Sequence, residues 1–412
     1  MDEHEGPKQY LESVRKAVKR ITDYNSKKVI LLHHNDSDGL SSGAVLLKAF
    51  QRAKYSVKRF SLEKPYPRVL EKLFGNNKGK IIVFADFAGK IAQMISGLNK
   101  GNNLVIILDH HKAEESNDNS VINLDPDFAG LKGDRDISAS CVCYYFAREL
   151  DYANTDLVHI AAFGGIADFY YIDNQLHSCN RACFKDAVMA GLMRSEGKNE
   201  AEKFFITLGR KEVNVVDFYP MVDIAGGVGY YRGGPELGIS IFLEGLTDKK
   251  LLRLEKLKKI KDSLYYTEME KLKKNGLYVT ENIQWFDVKN GFSPMGVKMI
   301  GIFLEENEDM DFLDPGRYTA GFMLVPDKVP GFGNILKKQT KVSIRSSRSL
   351  SLQIMNNKMP GINEFLPEAA LNLGGFADAC HRVSGAATIK AGREKDLMTE
   401  AQRILNSIIK KQ

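Results

Sequence analysis

The sequence predicts an α/β protein: a parallel, doubly wound sheet joined by a long helix to a smaller α/β domain. Three observations predict it. Short runs at 28–33, 80–85 and 103–108 are apolar on both faces, as strands covered by helices on both sides must be. Helical patterns at 39–52, 67–74 and 90–100 lie between them, the alternation of βαβ units. A long charged helical pattern at 246–275 then separates this region from a second set of strand-like and helical runs.

In chain order, 8–27 reads as an amphipathic helix, with Tyr10, Leu11, Val14, Val18 and Ile21 at helical spacing. After the βαβ series, 138–150 and 154–167 read as packed helices, the second leading into Asp168. Helical stretches follow to about residue 210, then a Gly-rich segment at 223–234. The helix at 246–275 carries Leu254, Leu257, Leu264 and Leu272 among many lysines, bounded by Gly245 and Gly276. Beyond it, strand-like runs at 277–280, 298–303, 318–324 and 341–345 alternate with helices, the last at 394–410. The expected division is a catalytic domain at 1–245, a connector at 246–275 and a second domain at 276–412.

Composition narrows the function classes. With 43% hydrophobic and 27% charged residues over 412 positions, the chain is neither collagenous, disordered nor a small disulfide scaffold. No apolar run approaches the ~20 residues a membrane helix needs. The acidic start Met1-Asp2-Glu3-His4-Glu5 does not read as a secretory signal. Five cysteines are odd in number and sparse, which fits a reducing, cytoplasmic setting. Cys141, Cys143, Cys179 and Cys183 lack zinc-ribbon spacing and read as buried, inert thiols. A net charge of +6 permits an anionic partner without demanding one.

The chemistry gathers at the strand ends. The first run finishes in His33-His34-Asn35-Asp36-Ser37-Asp38-Gly39, the second in Asp86, the third in Asp109-His110-His111. In an open parallel sheet these ends form the ligand crevice. Two carboxylates one residue apart, Asp36 and Asp38, can diverge toward two neighbouring cations. The helix that follows offers N-terminal N–H groups suited to phosphate. Histidine is scarce, eight in the chain, yet two adjacent pairs stand at strand ends beside aspartates. Carboxylates with imidazoles and no thiolates suit two Mn²⁺ or Mg²⁺ ions. Such a pair suits phosphate-ester hydrolysis, because it activates water and neutralises transition-state charge.

His34-x-Asp36-x-Asp38-Gly39, Asp86, Asp109-His110-His111 and Asp168 together resemble, in order and context, the DHH phosphoesterase superfamily. Cys380-His381-Arg382-Val383-Ser384-Gly385-Ala386 is similar to the Gly-Gly-His signature of the DHH-associated C-terminal domain, with Ala379-Cys380 where the two glycines normally stand. Ser343-Ile-Arg345-Ser346 resembles that domain's substrate-binding strand. The nearest group by these motifs is the archaeal RecJ-like proteins, single-strand exonucleases. The resemblance implies roles. Asp36, with His34, would bind one metal. Asp86 would bridge both. Asp38, His110 and Asp168 would serve the second. His111 would face the substrate phosphate, and Asp109 would orient His110. Arg345 and His381, with Ser343, Ser384 and Gly385, would hold the nucleotide. Asp223-Ile-Ala-Gly-Gly227 is similar to a family segment that often carries Asn and a Gly-Arg pair. Asp223 and Gly227 replace the Asn and the Arg, and Arg232 becomes the candidate for the displaced phosphate contact.

Charge placement agrees. Lys328, Lys337, Lys338, Lys341, Arg345, Arg348 and Lys358 follow one another without an acid from 328 to 363. A basic groove of this kind tracks a nucleic-acid backbone. The expected activity is two-metal exonuclease hydrolysis of single-stranded DNA or RNA, in replication or repair, with the second domain closing over the metals. The alternatives are a short-oligonucleotide or cyclic-dinucleotide phosphodiesterase, and a weakly catalytic or non-catalytic replisome subunit. The resemblance implies the last because archaeal relatives can associate with the replication-fork GINS complex. It also implies that a eukaryotic helicase relative has lost most of the metal ligands.

Overall fold

The structure, a computed structural model, describes residues 5–111, 113–197, 202–308 and 310–410. It contains two compact units, Met1–Leu257 and Lys258–Gln412.

The first unit begins α1 (Glu5–Asp23), β1 (Lys28–His33), α2 (Ser37–Arg52), β2 (Ser56–Ser61), α3 (Pro67–Gly75), β3 (Ile81–Ala85), α4 (Ala92–Asn99), β4 (Leu104–Leu108) and β5 (Val121–Asn123). The five strands pair in the order β2-β1-β3-β4-β5, all parallel. Every residue of β3 and β4 is buried, which is why those runs are apolar throughout. Each Ile, Leu or Val so placed contributes about 1.5–3 kcal/mol relative to exposure. β2 escaped the sequence reading because it is an edge strand, mostly polar along Ser-Val-Lys-Arg-Phe-Ser. The chain runs outward in one direction from β1 and in the other from β3, so the switch point of the sheet lies between them.

The unit continues with α5 (Ala139–Leu150), α6 (Val158–Asp173) and α7 (Ser178–Met189). An antiparallel sheet follows, made of β6 (Met193–Glu196), β7 (Lys203–Leu208) and β8 (Lys211–Asn214), then α8 (Val215–Gly227) and α9 (Gly234–Glu244). Sheet therefore stands where helical stretches were expected before residue 210. Burial along β7 alternates, with Phe204, Ile206 and Leu208 inside, a period of two. The Gly-rich segment at 223–234 is largely helical, shared between α8 and α9. α10 (Asp248–Asn275) spans the boundary between the units.

The second unit holds β9 (Tyr278–Val279), β10 (Ile283–Asp287), α11 (Met299–Glu305), β11 (Tyr318–Val325), β12 (Lys328–Val329), β13 (Gly333–Asn334), β14 (Gln339–Arg345), α12 (Arg348–Met355), α13 (Ile362–Asn372), β15 (Phe376–Cys380), β16 (Ser384–Lys390) and α14 (Glu394–Ile409). Six strands pair as β15-β16-β14-β11-β10-β9. One face packs Ile283, Trp285, Tyr318, Phe322, Val342 and Ile344 against Phe365, Leu366, Leu397 and Leu405. The run at 298–303, expected as a strand, is the helix α11. Its Ile300 meets the sheet at Gly321 and its Phe303 packs on Tyr265. A short apolar run does not reveal its own period, and only its neighbours settle the matter. Among the described residues, no helix is long and apolar enough to cross a membrane. All five cysteines are free, four of them buried.

Candidate metal centre

Register builds the site. His33 pairs with Ala85 and Ala85 with Leu108, so the next residues, His34, Asp86 and Asp109, leave three adjacent strands in one row. The ladder extends one bond further: His34 N–H donates to the Ala85 carbonyl and Asp86 N–H to the Leu108 carbonyl. Asp86 turns sharply there, at φ +66°, a left-handed conformation that Asp tolerates better than most residues.

His34 in this row and His110, one residue past it, have their rings fixed by main-chain carbonyls. His34 Nε2 lies 3.2 Å from the Glu63 carbonyl, which leaves Nδ1 facing Asp36 (2.7 Å) and Asp86 Oδ2 (3.4 Å). His110 Nδ1 donates to the Gly133 carbonyl at 2.6 Å, so Nε2 faces Asp86 Oδ1 (3.5 Å) and Asp168 Oδ2 (3.6 Å). Position 133 must be glycine, because a Cβ there would fall 1.6 Å from the His110 carbonyl oxygen. Anchoring the far nitrogen fixes the tautomer that leaves the near one free for a cation.

Asp36 and Asp38 diverge into different groups. Asp36 caps α2 by accepting from Gly39 N–H and faces His34. Asp38 turns the other way, and its two oxygens accept from the Ala139 and Ser140 amides at 2.8 and 3.0 Å, the start of α5. Asp168 arrives from α6. Gly164, one turn earlier on the same helix face, makes room, since a Cβ there would lie 2.5 Å from Asp38 Oδ1.

Three sets of donor atoms, each within 4.8 Å of one another, result: His34, Asp36 and Asp86; Asp38, His110 and Asp168; and Asp86, Asp109, His110 and His111. Electrostatics favours cations here. Burial, then Asp86 and Asp168, push the Asp38 carboxyl well above the usual carboxylate range. Burial pushes Asp168 up to about 6, with Asp86 adding and His110 opposing. Burial works against a charged His34, yet Asp36 and Asp86 carry it up to about 10. Crowded carboxylates that raise one another need positive charge between them. An oxygen and imidazole donor set without thiolates fits Mn²⁺ or Mg²⁺.

Several expectations change. His33, counted with the strand-end histidines, is wholly buried and turned inward. Its Nδ1 donates to the His34 carbonyl (2.7 Å) and its Nε2 accepts from Arg59 (2.8 Å). Asp109 orients His111, not the His110 ring: its Oδ1 accepts from His111 Nδ1 at 2.7 Å, and from the His110 and His111 amides. Its Oδ2 accepts from Gly89 N–H. Two of the α2 amides suggested for phosphate are occupied by the chain itself. Gly39 N–H serves Asp36, and Ser37 N–H serves Asp223 at 2.8 Å. Arg232 is exposed; its backbone N–H donates to the Gly229 carbonyl and its own carbonyl accepts from Arg253.

In the second unit, Ser343, Arg345, Ser384 and Gly385 lie together on β14 and β16, with Arg345 opposite Ser384. His381 is exposed in the β15–β16 turn, its N–H donating to the Ser384 carbonyl at 2.7 Å. The groups expected to hold phosphate are partly engaged elsewhere. Arg345 donates through Nε and Nη2 to Glu305 at 2.9 and 2.6 Å. Ser343 is buried, and Gly385 is packed under α13, where a Cβ would meet Ile362 at 2.6 Å. The acid-free interval is therefore met in space by acids from elsewhere: Glu305 on Arg345, and Glu308, Asp311 and Asp314 lining one cavity with Arg348. The sequence reading missed the carbonyls of Glu63 and Gly133 and the amides of Gly89, Ala139 and Ser140, because main-chain groups leave no residue signature.

Comparison with known proteins agrees with this geometry. Residues 28–165 match the DHH family, N-terminal domain. An uncharacterised protein of Methanocaldococcus jannaschii is 37% identical over 186 residues, 43% of this chain and 40% of that protein, so the shared region spans less than half of either. The Thermus thermophilus RecJ structure with Mn²⁺ is similar in fold, with a TM-score of 0.62, 14% identity, and coverage of 97% of this chain and 55% of RecJ. CDC45 of Entamoeba histolytica gives 0.57 at 11% identity, covering 98% of this chain and 99% of CDC45. With the strand-end row of His34, Asp86 and Asp109 in place, residues 28–165 form a DHH-family N-terminal domain, and the chain has a RecJ-like fold.

Proposed function

We propose that this protein is a two-metal phosphodiesterase, a RecJ-like exonuclease that hydrolyses single-stranded DNA or RNA to mononucleotides. One observation carries the reading: Asp86 presents one oxygen to the His34 group and the other to the His110 group. His34 and Asp36 would hold one dication, Asp38, His110 and Asp168 the other, and Asp86 both. A pair of Mn²⁺ or Mg²⁺ ions supplies Lewis acidity and a water of lowered pKa.

The chain supplies the rest. His111 keeps nearly half of its side chain exposed, with Nδ1 held by Asp109 and Nε2 turned away from that bond. Burial opposes a proton on His111, but Asp109 raises its pKa, so the ring is a hydrogen-bond donor to an anionic substrate oxygen. Asp109 is buried and stays ionised well below the usual carboxylate range. Burial opposes this, but His111, His110 and the Gly89 amide outweigh it. In the second domain, 276–412, Arg345, His381 and Ser384 would meet the nucleotide, with Ser343 and Gly385 forming the strand floor beneath them.

The test is cleavage of end-labelled single strands with Mn²⁺, comparing wild type with Asp36→Ala and His110→Ala. Wild-type cleavage that both substitutions abolish is the expected result. Absence of metal-dependent cleavage of either DNA or RNA overturns the reading. A dinucleotide substrate in place of a long strand would show as weak salt dependence of binding. The second reading, a replisome subunit binding GINS with little or no catalysis, draws on the CDC45 likeness, which covers both chains almost end to end. The full set of acidic donors favours the enzyme.

A further inference from the structure

The loop that carries Asp36 and Asp38 is braced from a distant part of the chain. Ser37 stands between the two carboxylates, which diverge into separate donor groups. Whatever fixes Ser37 therefore sets both directions at once. Asp223, on α8, does so: its Oδ1 accepts the Ser37 N–H at 2.8 Å and the Ser37 hydroxyl at 3.0 Å. That hydroxyl is also 3.1 Å from the Tyr219 carbonyl, one turn earlier on α8. On the other side of Asp36, Asn35 donates from Nδ2 to the Gly226 carbonyl at 3.0 Å. The backbones are close enough there that a Cβ on Gly226 would lie 1.5 Å from the Asn35 carbonyl oxygen. Both neighbours of Asp36 are thus tied to the last turns of one helix, nearly two hundred residues away in sequence.

We infer that Asp223 is a positioning residue for the metal centre: it clamps the pivot between Asp36 and Asp38, and through it tunes cation affinity at both donor groups. It belongs to none of the donor groups. Groups that hold ligands in place commonly matter 10–100-fold in metal affinity. A constellation lacking that support keeps its residues but loses its geometry. The inference rests on the metal reading above.

The test is Mn²⁺ binding to the full chain, followed by calorimetry without substrate. Asp223→Ala removes the acceptor of the Ser37 N–H and one of the two acceptors of its hydroxyl, and is expected to weaken Mn²⁺ binding about 10-fold or more. Asp223→Asn keeps an acceptor oxygen at that position and is expected to stay within about 3-fold of wild type. Ser37→Pro is the second route. Proline is favoured at the first helical position, and the extended backbone of Asp36 (φ −89°, ψ −174°) accommodates a following proline. This variant deletes both bonds to Asp223, and the hydroxyl's bond to the Tyr219 carbonyl, while leaving α2 able to form, and is expected to weaken binding at least as much as Asp223→Ala. Wild-type Mn²⁺ affinity in Asp223→Ala or Ser37→Pro overturns the inference. So does an Asp223→Asn variant as weak as the alanine, since charge rather than the clamp would then be the cause. A wild-type protein that binds no Mn²⁺ overturns the metal reading itself, a distinct outcome.

Discussion

Asp109 Oδ1 accepts from His111 Nδ1 at 2.7 Å, while the neighbouring His110 ring hangs from the Gly133 carbonyl at 2.6 Å. Two adjacent histidines are thereby given different tasks. One faces the carboxylate cluster with its far nitrogen pinned by main chain. The other is aimed outward by a buried anion.

Asp109→Asn should separate these tasks. The amide can no longer hold a charged His111 in place, while the His110 ring keeps its carbonyl. Hydrolysis is expected to fall about 10²-fold or more, in the range that a positioned acid or base contributes. Mn²⁺ affinity is expected to change little. Steady-state rates beside a binding titration check this.

Asp86→Asn keeps the left-handed backbone, which Asn also tolerates, and removes the charge between the two donor groups. Mn²⁺ stoichiometry is expected to fall from two to one or none. By contrast, Asp36→Asn should leave the Asp38, His110 and Asp168 group occupied. Electron paramagnetic resonance of Mn²⁺-titrated protein reads both numbers.

Glu305 holds Arg345 through one oxygen, and more than half of the Glu305 side chain is exposed. Glu305→Ala should release the guanidinium. Single-strand binding, measured with the metals chelated, is expected to tighten and its salt dependence to steepen by about one phosphate contact. Arg345→Ala should weaken binding relative to Glu305→Ala and remove that extra slope.

His33 is wholly buried, and burial together with Arg59 lowers its pKa to about 3. An unfolded histidine takes up its proton near pH 6.5. The unfolded state therefore binds the proton first as acid is added. The stability from keeping His33 neutral is fully present above pH 6.5 and is lost as pH falls from there toward 3. The loss is up to roughly 1.4 kcal/mol per pH unit across that window. Urea unfolding at several pH values with chelator present should show a steeper acid loss in wild type than in His33→Gln.

The parallel sheet and the strand-end cluster were legible because both rest on residue type. Runs such as Ile81–Ala85 must be apolar throughout, and their ends must carry the polar residues. Which way a side chain turns was not legible. His33 and His34 look alike in sequence, but successive residues leave a strand on opposite sides, and His33 points at Gly43 in the core. The partner of Asp109 was misassigned because a turn, not a strand, follows β4. Arg345 read as free because its acid, Glu305, comes forty positions earlier on a helix taken for a strand. Asp223 was singled out, but only the packing of α8 shows that it holds Ser37.

The rings of His34 and His110 hang from the carbonyls of residues 63 and 133. Every amino acid carries that carbonyl, so inheritance cannot delete these anchors by swapping a side chain. At residue 63 the hydrogen bond to His34 is made by the main chain, whatever the buried Glu63 side chain does. At residue 133 the anchor is equally generic, but steric room alone restricts what can stand there. A comparison of polar side chains alone would register neither support, because both are made by main-chain carbonyls.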